Sequence, residues 1–125
     1  MDRHVPRASF YADGDPHVDP ERLIAHLCTM RGITREQLGV RRTVLGTFSS
    51  RLTEFLAEGS RAVRAEHWLR RAEREAYLAG DNVTIATFPI GAPASVTLME
   101  EMIACGMTSL IVVGAAGSLQ PPPPL

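Results

Sequence analysis

The stretch "GAPASVTLMEEMIACGMTSLIVVGAAGSLQ", residues 91–120, decides the fold of this chain. Its small residues at the start are typical of a turn. The amphipathic run that follows predicts a helix over about residues 95–105, closed by Gly106. Residues 109–113 then form a run with no polar side chain after Ser109. Such a run is typical of a strand inside a parallel sheet that is covered on both faces.

The residues just upstream predict the other strand of a βαβ unit. In "YLAGDNVTIATF", residues 77–88, a turn pattern at 79–82 precedes a strand pattern at 83–88, so we expect a hairpin. Before it, a segment rich in Ala, Glu and Arg favours a helix, whereas the hairpin requires a strand near Tyr77. We expect the strand. Residues 83–113 then form one βαβ unit.

Capping residues mark two helices nearer the start of the chain. In "DPERLIAHLCTMRG", residues 19–32, Asp19 suits the N-cap, Pro20 the first helical position and Gly32 the end. A shorter helix is predicted in "ITREQLG", residues 33–39, with Thr34 and Gln37 as a capping pair and Gly39 as the stop. The spacing of apolar side chains predicts that the first helix buries Leu23, Ile24, Leu27 and either Met30 or Arg31.

A strand followed at once by a helix is predicted over residues 43–59. Residues 43–48 are β-branched and apolar, and Ser49 or Ser50 then caps the helix. Its predicted buried face consists of Leu52, Phe55 and Leu56. Together the elements predict class α/β, as a three-layer α/β/α domain with a central mixed, partly parallel sheet. We expect this domain over residues 19–120, an N-terminal arm at 1–18 and a proline-rich tail at 121–125.

Charge and composition narrow the classes of partner. The chain carries 13 Lys and Arg against 14 Asp and Glu, a balance that argues against nucleic acid and against an acidic membrane surface. Its longest apolar runs are shorter than the roughly 18 residues of a membrane span, and its first residues lack the apolar core of a leader peptide. Cys28 and Cys105 lie in apolar helical patterns, which favours free buried thiols and a cytoplasmic protein.

Three turns rich in small residues follow the predicted parallel strands. They span residues 46–50, 91–95 and 114–118. The carboxyl ends of parallel strands meet at one edge of a sheet, where backbone amides and helix N-termini bind ligands. One such turn is more often only a tight turn. Three of them at the same edge predict a ligand site.

The order of features in residues 91–120 resembles the signature of the nucleoside phosphorylase family, which includes purine and uridine phosphorylases and related nucleosidases. The shared features are Gly-x-Pro-x-Ala/Ser, a helix with Glu-Glu-x-Ile, a glycine, a strand and Gly-x-x-Gly-x-Leu-Gln. "VLGTFSSRL" and "YLAGDNVTIATF" extend the resemblance to roughly two thirds of the chain. It implies cleavage of the N-glycosidic bond of a nucleoside through an oxocarbenium-like ribosyl transition state, with phosphate or water as acceptor.

The resemblance also implies candidate site residues. Gly46 matches the phosphate-contacting glycine of the first turn, and Ser50 falls where many phosphorylases have an arginine, with Arg51 beside it. Val112 replaces another arginine and Ala115 replaces a serine or threonine, so neither supplies the charge or hydroxyl that binds phosphate. Backbone amides of the last turn remain as an anion cradle. The candidate phosphate and ribose ligands are therefore Gly46, Ser50, Arg51, Gly91, Ser95, Gly114, Ala115 and Gly117.

Two further features are left open by the sequence. His17 matches a histidine that in some relatives reaches the ribose of a neighbouring subunit, although a single histidine in a loop is more often simply exposed. Glu100 and Glu101 point about 100° apart on a helix. We expect one of them to contact a turn or another subunit, and we assign neither to acid–base catalysis.

Members of the family continue beyond this segment with the base-binding loop and the acid that protonates the leaving base. We therefore expect an N-terminal portion, inactive alone, whose ligand is a nucleoside and whose candidate co-substrate is inorganic phosphate. We expect no other cofactor, no metal, and self-association like that of the family; the catalytic residues stay unassigned.

In such an N-terminal portion, residues 109–113 would lie exposed at a sheet edge. The alternative is a non-catalytic binding or assembly module with the βαβ core; dinucleotide binding is disfavoured, because no Gly-x-Gly-x-x-Gly opens a helix.

Overall fold

Helices and a mixed sheet build the part of the chain that the computed structural model describes, which is residues 19–70, 74–115, 117 and 120. The strands of these residues form one sheet in the order β2-β3-β4-β1-β5. β1 pairs in parallel with β4 and β5, whereas β3 is antiparallel to β2 and β4. The predicted α/β class with a mixed, partly parallel sheet is confirmed. In chain order the elements are α1 (Pro20–Arg31), a short 3₁₀ helix (Glu36–Leu38), β1 (Thr43–Thr47), α2 (Ser50–Gly59), β2 (Val63–Arg64), β3 (Ala76–Ala79), β4 (Val83–Thr87), α3 (Ala92–Ala104) and β5 (Ser109–Val113).

The helix ends follow the capping chemistry of the sequence. The Asp19 side chain accepts a hydrogen bond from the Glu21 amide at 3.0 Å, and Gly32 ends α1 with φ at +66°, where glycine is favoured. The Gln37 side chain accepts from the Thr34 amide at 2.9 Å. Ser49 caps α2, as predicted. These local signals need no tertiary partner, which is why the sequence predicts them well.

The buried faces of two helices differ from the predicted ones. In α1 the buried residues are Ile24 and Cys28, while Leu23 and Met30 are exposed. α1 contacts α3 rather than lying flat on the sheet, so its buried stripe is narrower than the apolar spacing predicts. In α2 the buried residues are Thr53 and Ala57, and Leu52 and Leu56 are only half-buried. Phe55 lies outside the contact between α2 and the sheet and is 71% exposed.

The hairpin and the βαβ unit are confirmed with small shifts at their ends. β3 runs through Tyr77, and the turn before β4 places Gly80 at φ +58°. α3 begins at Ala92, earlier than predicted, because Pro93 is accommodated in its first turn, where no partner for an amide is needed. Ahead of β3, the described residues 61–70 and 74–75 contain turns and the two-residue strand β2 in place of the competing helix, and the sequence did not predict this strand.

The sheet separates two unlike layers. On one face, α1 and α3 join the strands in an apolar core that includes Ile24, Leu98, Met102, Val44, Ala86 and Phe88. On the other face, α2 packs on β1, β3 and β4. There the contact is polar, since the buried Thr53 hydroxyl lies 2.7 Å from the hydroxyls of both Thr47 and Thr87. Helices on both faces of the sheet give the predicted three layers.

β5 is the exception to the predicted burial. Among the described strands its one neighbour is β1, so it occupies the edge of the sheet. Ile111, Val112 and Val113 are 58%, 43% and 41% exposed, and only Leu110 packs against the core. The expectation of a strand covered on both faces is therefore wrong, whereas the expected exposure at an edge is confirmed. Among the described residues, no helix is long and apolar enough to cross a bilayer.

Candidate functional site

The sheet topology directs attention to the carboxyl ends of β1 and β4. These two strands are adjacent and parallel. The chain leaves β1 for α2 on one face and leaves β4 for α3 on the other face. Two neighbouring parallel strands whose connections go to opposite faces form the crevice in which α/β proteins usually bind ligands. The candidate site is therefore expected beside residues 47–49 and 87–91.

Two phenylalanines fill the centre of this crevice. The Phe88 amide donates to the Thr47 carbonyl at 2.6 Å and closes the gap between the two strand ends. The rings of Phe48 and Phe88 pack edge to face, with centroids 6.3 Å apart. Phe88 is fully buried in the core, but Phe48 is 39% exposed. A ligand at this edge would meet the open side of the Phe48 ring.

Gly46 lies beneath this aromatic pair. It is buried within β1, in register with Ala86 of β4 and Val112 of β5. A Cβ on Gly46 would lie 2.7 Å from the Phe88 ring, closer than real side chains approach. The absence of a side chain at Gly46 thus makes room for Phe88. Its matched role as a phosphate contact stays a prediction.

The turn after β5 approaches the turn after β1. A Cβ built on Gly114 would lie 3.7 Å from the Phe48 ring, which is ordinary contact distance. Ala115 and Gly117 are exposed next to it. Two of the three small-residue turns are therefore brought together by the Phe48 side chain. Residues 116 and 118 of the last turn lie outside the described residues.

The remaining candidates are spread around this edge. Ser50 and Arg51 are exposed in the first turn of α2. Gly91 is the N-cap of α3 with φ at +108°, and the Ser95 hydroxyl donates to the Pro89 carbonyl at 2.8 Å. Gly91 and Ser95 thus have clear local roles in shaping the turn between β4 and α3. His17 lies outside the described residues.

A second depression lies on the α2 side of the same edge. It has a volume of about 280 Å³ and is lined by residues of α2, β3 and the end of β4, among them Glu54, Tyr77 and Thr87. Burial raises the pKa of the Tyr77 phenol, and its hydrogen bond to Glu75 raises it further. Glu54, Tyr77, Thr87 and Phe48 were not among the site residues predicted from the sequence. The one signal in the sequence that could have indicated Phe48 and Thr87 as site residues is their position at the ends of two parallel strands.

Two ionisable groups near α3 have structural roles. Glu101 is buried and accepts a hydrogen bond at 3.0 Å from the Arg70 guanidinium. Arg70 lies in a turn, so the expectation that one of the paired glutamates contacts a turn is confirmed. Burial raises the pKa of the Cys105 thiol to about 12, with a smaller contribution from Cys28. Both cysteines are free. Among the described residues, no group of His, Cys, Asp and Glu is arranged to hold a metal ion.

Comparison with protein-family models, with curated proteins and with solved structures finds no match to this chain.

Proposed function

We propose that this chain is the nucleoside-binding portion of a nucleoside phosphorylase-like protein, and that the activity it serves is cleavage of the N-glycosidic bond of a nucleoside. The observation that carries the proposal is the approach of Gly114 to Phe48. It brings the turns after β1 and β5 to one place, which is the arrangement that the resemblance implies for the phosphate and ribose. The half-exposed Phe48 ring adds a surface on which a base or a ribose can stack.

The side chains around this place bear on the choice of acceptor. Val112 and Ala115 provide neither a positive charge nor a hydroxyl, and Val112 lies beside Gly46 in the sheet register. Contacts to a phosphate dianion would then come from backbone amides of the last turn. Inorganic phosphate stays the candidate co-substrate. Water as the acceptor needs neither a positive charge nor a hydroxyl from these residues. We assign nucleoside binding to these residues and assign to none of them the protonation of the leaving base.

A binding titration with matched phenylalanine variants tests the proposal. Uridine and inosine are added to the ¹⁵N-labelled chain, and amide shifts are followed with and without phosphate. Stacking on an aromatic side chain contributes about 1–3 kcal/mol per base, so Phe48→Ala should weaken binding about tenfold. Phe55→Ala removes an exposed ring on α2 and should leave binding unchanged. Equal effects of the two variants, or no binding of either nucleoside, would contradict the proposal.

A second function is favoured by the exposed strand β5. Its unpaired edge and three exposed apolar side chains fit a non-catalytic assembly module. If the chain is an assembly module, it should self-associate and bind no nucleoside. If it is the nucleoside-binding portion of a phosphorylase-like protein, it should bind nucleoside whether or not it self-associates. We also propose a cytoplasmic location, because both cysteines are free thiols. Sedimentation velocity over a range of concentrations, run beside the titration, distinguishes the two functions.

A further inference from the structure

The depression beside α2 has a chemistry of its own. We call it the α2 cleft and define it by the lining residues Ser50, Thr53, Glu54, Arg74, Glu75, Tyr77 and Thr87. It lies on the opposite side of the sheet from the apolar core that holds Phe88. Its volume of about 280 Å³ falls near the lower limit of roughly 300 Å³ for ligand clefts. Of these residues, Ser50 alone is also a candidate ligand of the proposed nucleoside site.

The direction of the hydrogen bonds under the cleft follows from the distances. The Thr47 hydroxyl lies 2.8 Å from the Ser49 carbonyl. Because a carbonyl can only accept, Thr47 donates its single hydroxyl proton to it. Thr53, at 2.7 Å from Thr47, must then donate to Thr47. Thr87, at 2.7 Å from Thr53, must in turn donate to Thr53. The three hydroxyls form a chain in which the Thr87 proton points to Thr53 and the Thr53 proton points to Thr47.

Thr87 therefore offers the cleft an acceptor and no donor. Thr87 is 8% exposed and lines the cleft, and a hydroxyl that donates to Thr53 keeps lone pairs with which it can accept. Tyr77 behaves in the same way, because its hydroxyl donates to the Glu75 carboxylate at 3.2 Å. A ligand that reaches these two oxygens must donate hydrogen bonds to both of them. An anion without protons fails this requirement, and monohydrogen phosphate has a single proton for the two acceptors.

The charges around the cleft nearly cancel. Glu54 and Glu75 contribute two carboxylates, and Arg74 contributes one guanidinium to the lining. Arg64 lies behind Glu75, with its Nε 3.2 Å from the carboxylate. Among the described residues the site thus has two groups of each sign, which give no net preference for a charged ligand. Vicinal hydroxyl groups both donate and accept hydrogen bonds. They can donate to the carboxylates and accept from the guanidinium that lie around the Tyr77 ring.

We propose that the α2 cleft binds a neutral polyhydroxyl ligand of monosaccharide size. Its hydroxyls donate to Thr87, Tyr77 and the carboxylate of Glu54, and its carbon face packs on the half-buried Tyr77 ring. This inference does not depend on the proposed nucleoside site, because it uses neither Phe48 nor Gly114 and assigns no contact to Ser50, the residue that the two sites share.

The test uses three small probes on the ¹⁵N-labelled chain: D-ribose, inorganic phosphate and ethanolamine. D-ribose should give saturable shifts at the amides of Thr53, Tyr77 and Thr87 at millimolar concentration. Thr87→Ser should retain binding, whereas Thr87→Val should weaken it about tenfold. Glu54→Ala, at an exposed position, should also weaken it and carries little risk to folding. Phe48→Ala should leave it unchanged, which separates this result from that of the nucleoside titration.

Three results would overturn the proposal. The first is a response of the cleft amides to phosphate or ethanolamine but not to D-ribose, which would assign a charged ligand. The second is a response to none of the probes. The third is D-ribose binding of equal strength in the wild-type chain, Glu54→Ala and Thr87→Val, since that would place the sugar elsewhere.

Discussion

The two strands that flank β1 make an instructive comparison. β4 and β5 both pair with β1 in parallel and in register. β4, with sequence VTIAT, contains two threonines and is buried over four of its five residues. β5, with sequence SLIVV, is more apolar, yet none of its residues is fully buried. The more apolar strand is thus the more exposed one.

The difference lies in what surrounds each strand. β4 sits between β1 and β3, with α2 against one face and the apolar core against the other. Among the described residues, β5 has a single neighbouring strand, and three of its apolar side chains are exposed. The apolar character of a segment predicts a strand, but neighbours in the sheet determine its burial.

The largest expected effect contrasts the two strand regions by truncation. Phe88→Ala, directly after β4, removes a fully buried ring and should lower the free energy of unfolding by about 3–5 kcal/mol. Ile111→Ala, in β5, removes a largely exposed side chain and should cost less than about 1 kcal/mol. Urea denaturation of both variants measures the difference. Similar losses would mean that β5 is covered in solution.

The next prediction concerns the hydroxyl layer that covers β4. Thr53→Val deprives Thr87 of its acceptor and Thr47 of its donor, so the free energy of unfolding should fall by about 1–3 kcal/mol. Thr97→Val on α3 is the matched control, since its hydroxyl bonds an exposed backbone carbonyl. The control should change stability by less than about 0.5 kcal/mol. Equal effects in urea melts would show that the buried hydroxyls make no special contribution.

A charged residue on β5 should alter association more than stability. Ile111→Lys places a charge on an exposed edge strand, where lysine discourages strand pairing between molecules. We expect self-association to weaken, with a change in the free energy of unfolding of less than about 0.5 kcal/mol. Sedimentation velocity and urea denaturation measure the two quantities. A variant that associates as strongly as the wild type would show that β5 does not mediate association.

The smallest effect at neutral pH comes from Cys105, which follows α3 and precedes β5. Burial raises the pKa of its thiol from an ordinary 9.0 to about 12. Between these values the unfolded chain has lost the proton that the folded chain keeps, so stability should fall as pH rises above about 9. At pH 7 both states are protonated and no effect is expected. Cys105→Ala should show a weaker loss in alkaline urea melts, and an unchanged slope would remove Cys105 as the cause.

The sequence predicts the parts of this fold that depend on neighbouring residues in the chain. The cap at Asp19, the hairpin turn at Gly80 and the strand at residues 109–113 all follow from local chemistry. The exposure of Phe55 and of β5 does not, because it depends on which elements pack together. The candidate site likewise combines features that local sequence predicts with features that depend on packing. Glycine-rich turns were visible in the sequence, whereas the contact of Phe48 with Gly114 and the hydroxyl chain beneath Thr87 require the register of three strands.

Backbone amide exchange, measured by NMR with and without saturating uridine, tests the central claim most directly. The amides of β4 should exchange slowly in both conditions, and those on the outer edge of β5 should exchange much faster. Uridine should slow exchange at Phe48 and Gly114 if the turns after β1 and β5 form one ligand site. Unchanged exchange at these two residues, or a β5 edge as protected as β4, would contradict the account.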